Sequence, residues 1–323
     1  MNTKNILVLF PCDAATRQAV IDAVGDRGRL TFIEAGQDYS AYLSDAHIIL
    51  GEPRNEDFPH CHSLELVQSP CSGVNYYVNG GTFPKDAILC SSTGCYGNLI
   101  AEHMLAMTLS LCRRLPEYQT QQKEHRWSLL KYDKPLEGST VLILGAGDIG
   151  TTLARFLRPM VGKIIGVRRS PGALPCCFDE MISLDRLDDR LAEADFLLCA
   201  LPHTPETVGL LNESRLRKTK PDAVLVNGGR GSLIDQQALC TLLGEGHFWG
   251  VGLEVTTPEP LPENHPLWDM PRCIITPHAA GNSFAPDSPL VHKIWAFMLQ
   301  NLTNYLDGKP LNSQVDFSLG YSK

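Results

Sequence analysis

Gly145-Ala146-Gly147-Asp148-Ile149-Gly150 is the stretch on which the reading of this chain turns. Glycine is common and a GxGxxG pattern alone carries little weight, so its flanks decide. Ahead of it runs Val141-Leu142-Ile143-Leu144, a short apolar run of strand type, and behind it Ile149 to Leu157 carry apolar side chains at helical spacing. Strand, glycine turn and helix is the context a dinucleotide fingerprint needs. The first glycine makes the tight turn, the second lets a pyrophosphate approach the backbone, and the third lets helix pack on strand. The uncapped N–H groups and positive dipole end of the helix then face the phosphates. Gly145, Gly147 and Gly150 are the first cofactor-binding candidates.

A second strand, Lys163-Ile164-Ile165-Gly166-Val167, ends where such a unit carries an Asp or Glu for the ribose hydroxyls. Here stand Arg168, Arg169 and Ser170. An acid would repel a 2′-phosphate, whereas guanidinium forks hold it bidentately and stack on adenine. The expected cofactor is NADP, with NADPH preferred over NADH. A basic turn after a strand is often only solvated; its offset from the fingerprint tips the balance.

At 323 residues the chain is long enough for two domains with a core each. A net charge of −8 argues against nucleic acid or an anionic membrane as the main partner. No apolar run reaches the ~18 residues of a membrane span. Ile6 to Phe10, after one lysine, is too short for a signal segment and suits a first strand. Eleven cysteines without framework spacing fit free thiols in a reducing compartment, so a cytoplasmic location is expected. His60-Cys61-His62 has no partner pair elsewhere, and no metal is expected.

Strand-like and helix-like segments alternate along the first part: Ile6 to Phe10, Ala14 to Val24, Leu30 to Glu34, His47 to Gly51, Leu64 to Gln68 and Ala87 to Leu89. A long helix is expected from about Asn98 to Leu115, followed by a polar connection through Gln121, Lys123, Glu124 and Trp127. After the fingerprint unit, strands are expected at 195–200, 223–227, 249–255 and 273–276, and a last helix over 288–306, with a short tail behind it. The fold class is α/β with two doubly wound parallel sheets: a Rossmann nucleotide domain (96–284) inserted into a flavodoxin-like substrate domain built from 1–95 and 285–323. A ligand cleft between the two domains is the default expectation.

Beyond the fingerprint, three groups follow strand-like runs, at the edge where open α/β sheets bind ligands. Arg230 follows Val226-Asn227-Gly228-Gly229, Glu259 lies in Thr257-Pro258-Glu259-Pro260, and His278 lies in Thr276-Pro277-His278-Ala279. Each alone is ordinary: a capped surface histidine, a loop glutamate, a salt-bridge arginine. Together they match what reduction of a 2-keto acid requires. A proton must reach the carbonyl oxygen as it becomes an alkoxide, and His278 suits that role because histidine titrates near working pH. Glu259 would fix its tautomer and favour the imidazolium. Arg230 would pair with the substrate carboxylate and polarise the carbonyl.

At this point the chain resembles the D-isomer-specific 2-hydroxyacid dehydrogenase family. The likeness rests on Tyr96-Gly97-Asn98-Leu99-Ile100-Ala101-Glu102-His103, Gly145 to Gly150, Leu201-Pro202-His203-Thr204-Pro205-Glu206-Thr207, Val226 to Gly231 and Glu259 to Gly281, in the family's order. It implies Arg230, Glu259 and His278 as the catalytic set. It implies cofactor contacts from Asp148, Ile149, Leu201, Pro202, Thr207, Asn227, Gly228, Gly229, Glu254, His278 and Gly281. It implies that the backbone of Ser72, Gly73 and Val74 holds the substrate carboxylate, and a homodimer formed through the nucleotide domain. Tyr96, Glu52, Arg54 and Trp295 are candidates for the pocket that selects the substrate side chain. Glu254 departs from the Asp of many relatives beside the nicotinamide, and Gly228-Gly229 would give a less bulky wall there. The alternatives are phosphoglycerate or phosphite dehydrogenase, and a nucleotide-sensing interaction protein like the C-terminal-binding-protein corepressors.

Overall fold

Two parallel sheets account for the α/β alternation of the sequence. The computed structural model describes residues 3–170, 172–281 and 284–322, and the chain divides into two units, Met1–Tyr96 with Ser283–Lys323, and Gly97–Asn282. The smaller begins with β1 (Lys4–Val8), α1 (Ala14–Val24), β2 (Gly28–Phe32), β3 (Ile48–Leu50), β4 (Leu66–Gln68), α2 (Asn75–Gly80) and β5 (Ile88–Cys90). Its five strands run parallel in the order β2-β1-β3-β4-β5, a flavodoxin-like winding. Ile48, Ile49 and Leu50 are all fully buried, as expected of a parallel strand covered on both faces. Asp13 caps α1 by accepting from Thr16 N at 2.7 Å.

The larger unit starts with α3 (Gly97–Cys112) and α4 (Leu115–Lys123). Then come β6 (Thr140–Leu144), α5 (Asp148–Leu157), β7 (Lys163–Val167), β8 (Glu180–Ile182), β9 (Phe196–Cys199), α6 (Glu213–Lys218), β10 (Val224–Asn227), α7 (Gln236–Gly244), β11 (Gly250–Leu253) and β12 (Cys273–Ile275). The seven strands are parallel in the order β12-β11-β10-β9-β6-β7-β8. The winding therefore reverses between β6 and β9, the switch point at which such sheets bind ligands. Side chains alternate between two cores. Leu142, Leu144, Ile165, Leu197 and Leu225 face one side, and Val141, Ile143, Ile164, Phe196 and Val224 face the other.

Two strand glycines and one just beyond β10 explain how α3 lies against this sheet. A Cβ at Gly250 would sit 2.8 Å from Leu111 Cδ2, one at Gly252 3.3 Å from Met107 Cβ, and one at Gly228 2.7 Å from Met104 Sδ. The helix is shorter than its apolar run suggested: Arg114 takes a left-handed conformation (φ 56°), and α4 starts behind it with a proline in its first turn. The stretch expected to be a polar connection is thus helical as far as Lys123.

The chain returns to the smaller unit as α8 (Pro289–Leu306), capped by Ser288, whose hydroxyl accepts from Val291 N. Trp295 belongs to the core: 1% exposed, it donates from Nε1 to Pro11 O and lies against Phe10. Its candidacy as a substrate-pocket residue is corrected accordingly. The tail is also more than a tail, since β13 (Val315–Asp316) pairs antiparallel with β14 (Tyr321–Ser322). Among the described residues no helix is long and apolar enough to cross a membrane.

Candidate active site

The turn between β6 and α5 fits a dinucleotide by its own geometry. Gly145 holds φ 100° and a Cβ there would meet Ala200 O at 2.7 Å, so only glycine passes. A Cβ on Gly150 would overlap Gly145 O, so α5 sits directly on the turn. Gly147, between them, has nothing within 4 Å of its Cβ position. It opens α5 as an N-cap with no side-chain cap, leaving the first N–H groups of the helix to an outside acceptor. Asp148 and Ile149 begin the helix, with the Asp148 carboxylate against Gly97.

At the end of β7, Arg168 N donates to Ile182 O at 3.1 Å, which fixes the backbone of the basic turn. The Arg168 Nε is buried and has no hydrogen-bond partner among the described residues. A donor left in this state is open to a further acceptor. Arg169 and Ser170 are exposed. Glu206 is held below the ordinary carboxylate range by its own backbone N–H, then by the Thr204 hydroxyl, with a smaller contribution from Arg169.

Behind β9, Leu201, Pro202 and Thr207 form a loop that organises itself. The Thr207 hydroxyl donates to Pro202 O at 2.7 Å and accepts from Thr204 N at 2.8 Å. Thr207 is buried, so this hydroxyl shapes the loop from inside.

The three strand-end groups follow neighbouring strands, since β10 pairs with β11 and β11 with β12. Asn227, fully buried, ties the turn after β10: its Oδ1 accepts from Gly229 N at 3.1 Å and its Nδ2 donates to Arg230 O at 3.0 Å. Arg230 Nη1 donates to Gly229 O at 2.8 Å. After β11, Glu259 Oε1 accepts from Thr256 N at 3.1 Å and Oε2 lies 2.9 Å from His278 Nδ1. The imidazole is half exposed, with Nδ1 turned to the carboxylate. Bound this way, Nδ1 carries the hydrogen, and Nε2 is the nitrogen left for proton exchange with a ligand.

Two of the expected cofactor residues have close neighbours within the larger unit. Met104 from α3 fills the place of the missing Gly228 side chain, and Gly229 is pressed on the backbone of Leu201. Glu254, expected beside a nicotinamide, is only 2% exposed, and its carboxylate accepts from Ala280 N and the Thr276 hydroxyl and lies 3.1 Å from His103 Nε2. Gly281 follows that turn. Sequence reasoning gave His103 and Thr276 no role. The signal available was a histidine on the sheet-facing side of a helix, one residue from Met104.

Ser72, Gly73, Val74 and Tyr96 lie in the smaller unit. Ser72 Oγ is 3.4 Å from Thr93 Oγ1, Val74 is buried, and the Tyr96 hydroxyl donates to Pro70 O at 2.8 Å. Glu52 is exposed, and Arg54 is engaged by Glu56 and Asp57. An open groove of about 570 Å³ beside Arg114, Glu117, Met270 and Arg272 sits at the start of β12, the opposite end from His278. Among the described residues no group of three His, Cys, Asp or Glu could hold a metal ion.

Comparison with known proteins places this architecture among its relatives. The family profile described as D-isomer specific 2-hydroxyacid dehydrogenase, NAD binding domain, matches residues 105–280. The chain is 34% identical over 229 residues to the glyoxylate/hydroxypyruvate reductase A of Photorhabdus laumondii, covering 70% of this chain and 69% of that one. It is 35% identical over 246 residues to the D-3-phosphoglycerate dehydrogenase of Mycobacterium tuberculosis, covering 76% of this chain and 44% of that longer protein. A D-isomer specific 2-hydroxyacid dehydrogenase from Xanthobacter autotrophicus, solved in complex with NADPH and MES, superposes with a TM-score of 0.82 at 27% identity, covering 99% of this chain and 100% of its own.

Proposed function

The chain belongs to the D-isomer-specific 2-hydroxyacid dehydrogenase family, and we propose that within it this protein reduces 2-keto acids to D-2-hydroxy acids with NADPH. The observation that carries this reading is the hydrogen bond between His278 Nδ1 and Glu259 Oε2 at 2.9 Å. It orients the imidazole, fixes its tautomer and leaves Nε2 to give a proton to the carbonyl oxygen as charge develops there. Arg230 meets the substrate carboxylate and polarises the carbonyl with a charge that does not titrate. When bound, the reduced dinucleotide supplies the hydride to the keto carbon. Its pyrophosphate is taken by Gly145 to Gly150 and the first turn of α5, with Leu201, Pro202, Asn227, Gly228 and Gly229 on the cofactor side. Ser72, Gly73, Val74 and Tyr96 stay as proposed substrate contacts. In the oxidising direction His278 is the base.

Preference for NADPH is supported by Arg168, Arg169 and Ser170 where NAD users carry an acid, and by Arg168 Nε, which lacks a partner among the described residues. The Xanthobacter relative, solved with NADPH, agrees with it. A homodimer is supported by Trp127, Leu129 and Tyr132, which are 103%, 90% and 80% exposed on one short segment of the larger unit. Eleven free cysteines support a cytoplasmic setting.

The test is the rate of NADPH and of NADH consumption with glyoxylate, hydroxypyruvate, 3-phosphohydroxypyruvate and branched or aromatic 2-keto acids. Turnover of the unphosphorylated acids with NADPH supports the reading. Selective turnover of the phosphorylated acid with NADH would move the protein to phosphoglycerate dehydrogenase. Tight dinucleotide binding without turnover of any acid would favour the sensor.

A further inference from the structure

The turn that carries His278 is fastened at three points by one residue. The backbone carbonyl of Glu254 accepts from His278 N at 3.0 Å, Oε1 of its carboxylate accepts from Ala280 N at 2.6 Å, and Oε2 accepts from the Thr276 hydroxyl. Residues 276, 278 and 280 therefore all hang on the end of β11. His278 needs such fastening. It holds φ 53°, in the left-handed region that non-glycine residues avoid, and such a conformation persists only where its surroundings over-determine it.

Glu254 is 2% exposed, and a carboxylate sealed from water needs donors on both oxygens. A third donor comes from α3, where His103 Nε2 lies 3.1 Å from Glu254 Oε2 and 3.0 Å from Thr276 Oγ1. The threonine has one hydroxyl hydrogen. With that hydrogen on Glu254, Nε2 has to carry its own, because a bare nitrogen would set a lone pair against two oxygens. His103 is thereby a donor to Glu254, and it links the helix to the turn.

We propose that Glu254 and His103 are positioning residues: with Thr276 they hold His278 in the backbone conformation from which its Nδ1 meets Glu259. The consequence for activity rests on the reading of His278 as proton donor. The consequence for the His278 ring does not.

His103→Phe and Thr276→Val each remove one hydrogen-bonding group and keep most of the bulk, and the second keeps the test open if the first does not fold. In the full-length protein kcat should fall roughly ten- to a hundredfold, the size of effect expected from a misplaced reacting group. KM for the keto acid and Kd for NADPH should stay within about twofold, since no ground-state contact is lost. His103→Gln, whose amide nitrogen can take the place of Nε2 and still donates, should recover most of the loss. Without any substrate, the ring resonances of His278, assigned by their absence in His278→Ala, should shift and broaden in both variants of 15N-histidine-labelled protein. Unchanged His278 resonances in folded variants would overturn the proposal, as would a loss of activity expressed as weaker NADPH binding. A wild-type protein that reduces no 2-keto acid would sink the reductase reading, and the resonance comparison would still decide the fastening of His278.

Discussion

Gly231 and Thr256 meet backbone to backbone: a Cβ on Gly231 would overlap the Thr256 carbonyl. The turn carrying Arg230 and the loop carrying Glu259 are thus in direct contact. A second tie reinforces the first, since the Gln236 side-chain amide both donates to Thr257 O and accepts from Thr257 N, each at 2.9 Å.

Gly231→Ala should therefore separate the two turns without emptying the core. Forcing an extra carbon into a filled site costs about 1–3 kcal/mol, which denaturant unfolding would register. The expected companion effect is at least a tenfold fall in kcat/KM with NADPH affinity retained, because the phosphate turn after β6 is untouched. Equal activity of variant and wild type would mean that the contact does not matter to the site.

Replacing Arg168 tests how the cofactor is chosen. Its buried Nε lacks a partner among the described residues, and a guanidinium facing a phosphate makes charge-assisted bonds of roughly 1.5–3 kcal/mol. Arg168→Ala should raise Kd for NADPH by about tenfold or more on that scale, and leave Kd for NADH unchanged. Arg168→Asp should turn the preference toward NADH. Fluorescence titration of both cofactors decides it, and a parallel loss for both would place Arg168 away from the 2′-phosphate.

An acid limb of stability follows from Asp188. Hydrogen bonds from Arg215 and then Lys218 lower its carboxyl from 3.8 to about 2, with Arg215 Nη2 at 3.0 Å and Lys218 Nζ at 2.9 Å. The folded state thus binds a proton less readily than the unfolded state. The stabilisation is complete above the unfolded value and is lost as pH falls through the folded one. Being partly exposed and screened, the network contributes no more than about 1 kcal/mol. Asp188→Asn should melt slightly below wild type at neutral pH, and the gap should close between about pH 4 and pH 2. A gap that persists in acid would contradict this assignment.

The exposed segment with Trp127, Leu129 and Tyr132 bears on assembly. Light scattering should give twice the chain mass for the wild type, and Trp127→Glu with Leu129→Glu should give the single-chain mass with the fold intact. A wild-type monomer would remove the dimer from the account.

Several of these features were legible in the sequence because their causes are local. The buried strands read as apolar runs, and the glycine turn after β6 is dictated by spacing, since Gly145 and Gly150 face neighbours that no Cβ would clear. Arg230, Glu259 and His278 stood out because each follows a strand. What was not legible depends on tertiary neighbours. The helix Leu115–Lys123 is polar almost throughout and has one buried residue, Gln121, so it gives no apolar stripe. The short elements β8, α6 and α7 were also passed over. That Met104 of α3 occupies the place of a Gly228 side chain was not readable from the sequence. Trp295 was misjudged although Val291, Ile294, Trp295, Met298 and Leu302 are all buried at helical spacing, which was readable as a core stripe. The partners of Glu254 were not legible because the sequence does not say that Ala280, Thr276 and His103 converge on its carboxylate.

His278, oriented by Glu259, is proposed to give the proton in keto acid reduction. This role is tested most directly by the rate of NADPH consumption at saturating glyoxylate or hydroxypyruvate for the wild type and for His278→Ala. Turnover by the wild type is expected, with a loss of roughly 10²- to 10⁴-fold in the variant and the same NADPH binding in both. Turnover by His278→Ala within about threefold of wild type, far below that general-acid range, would contradict it.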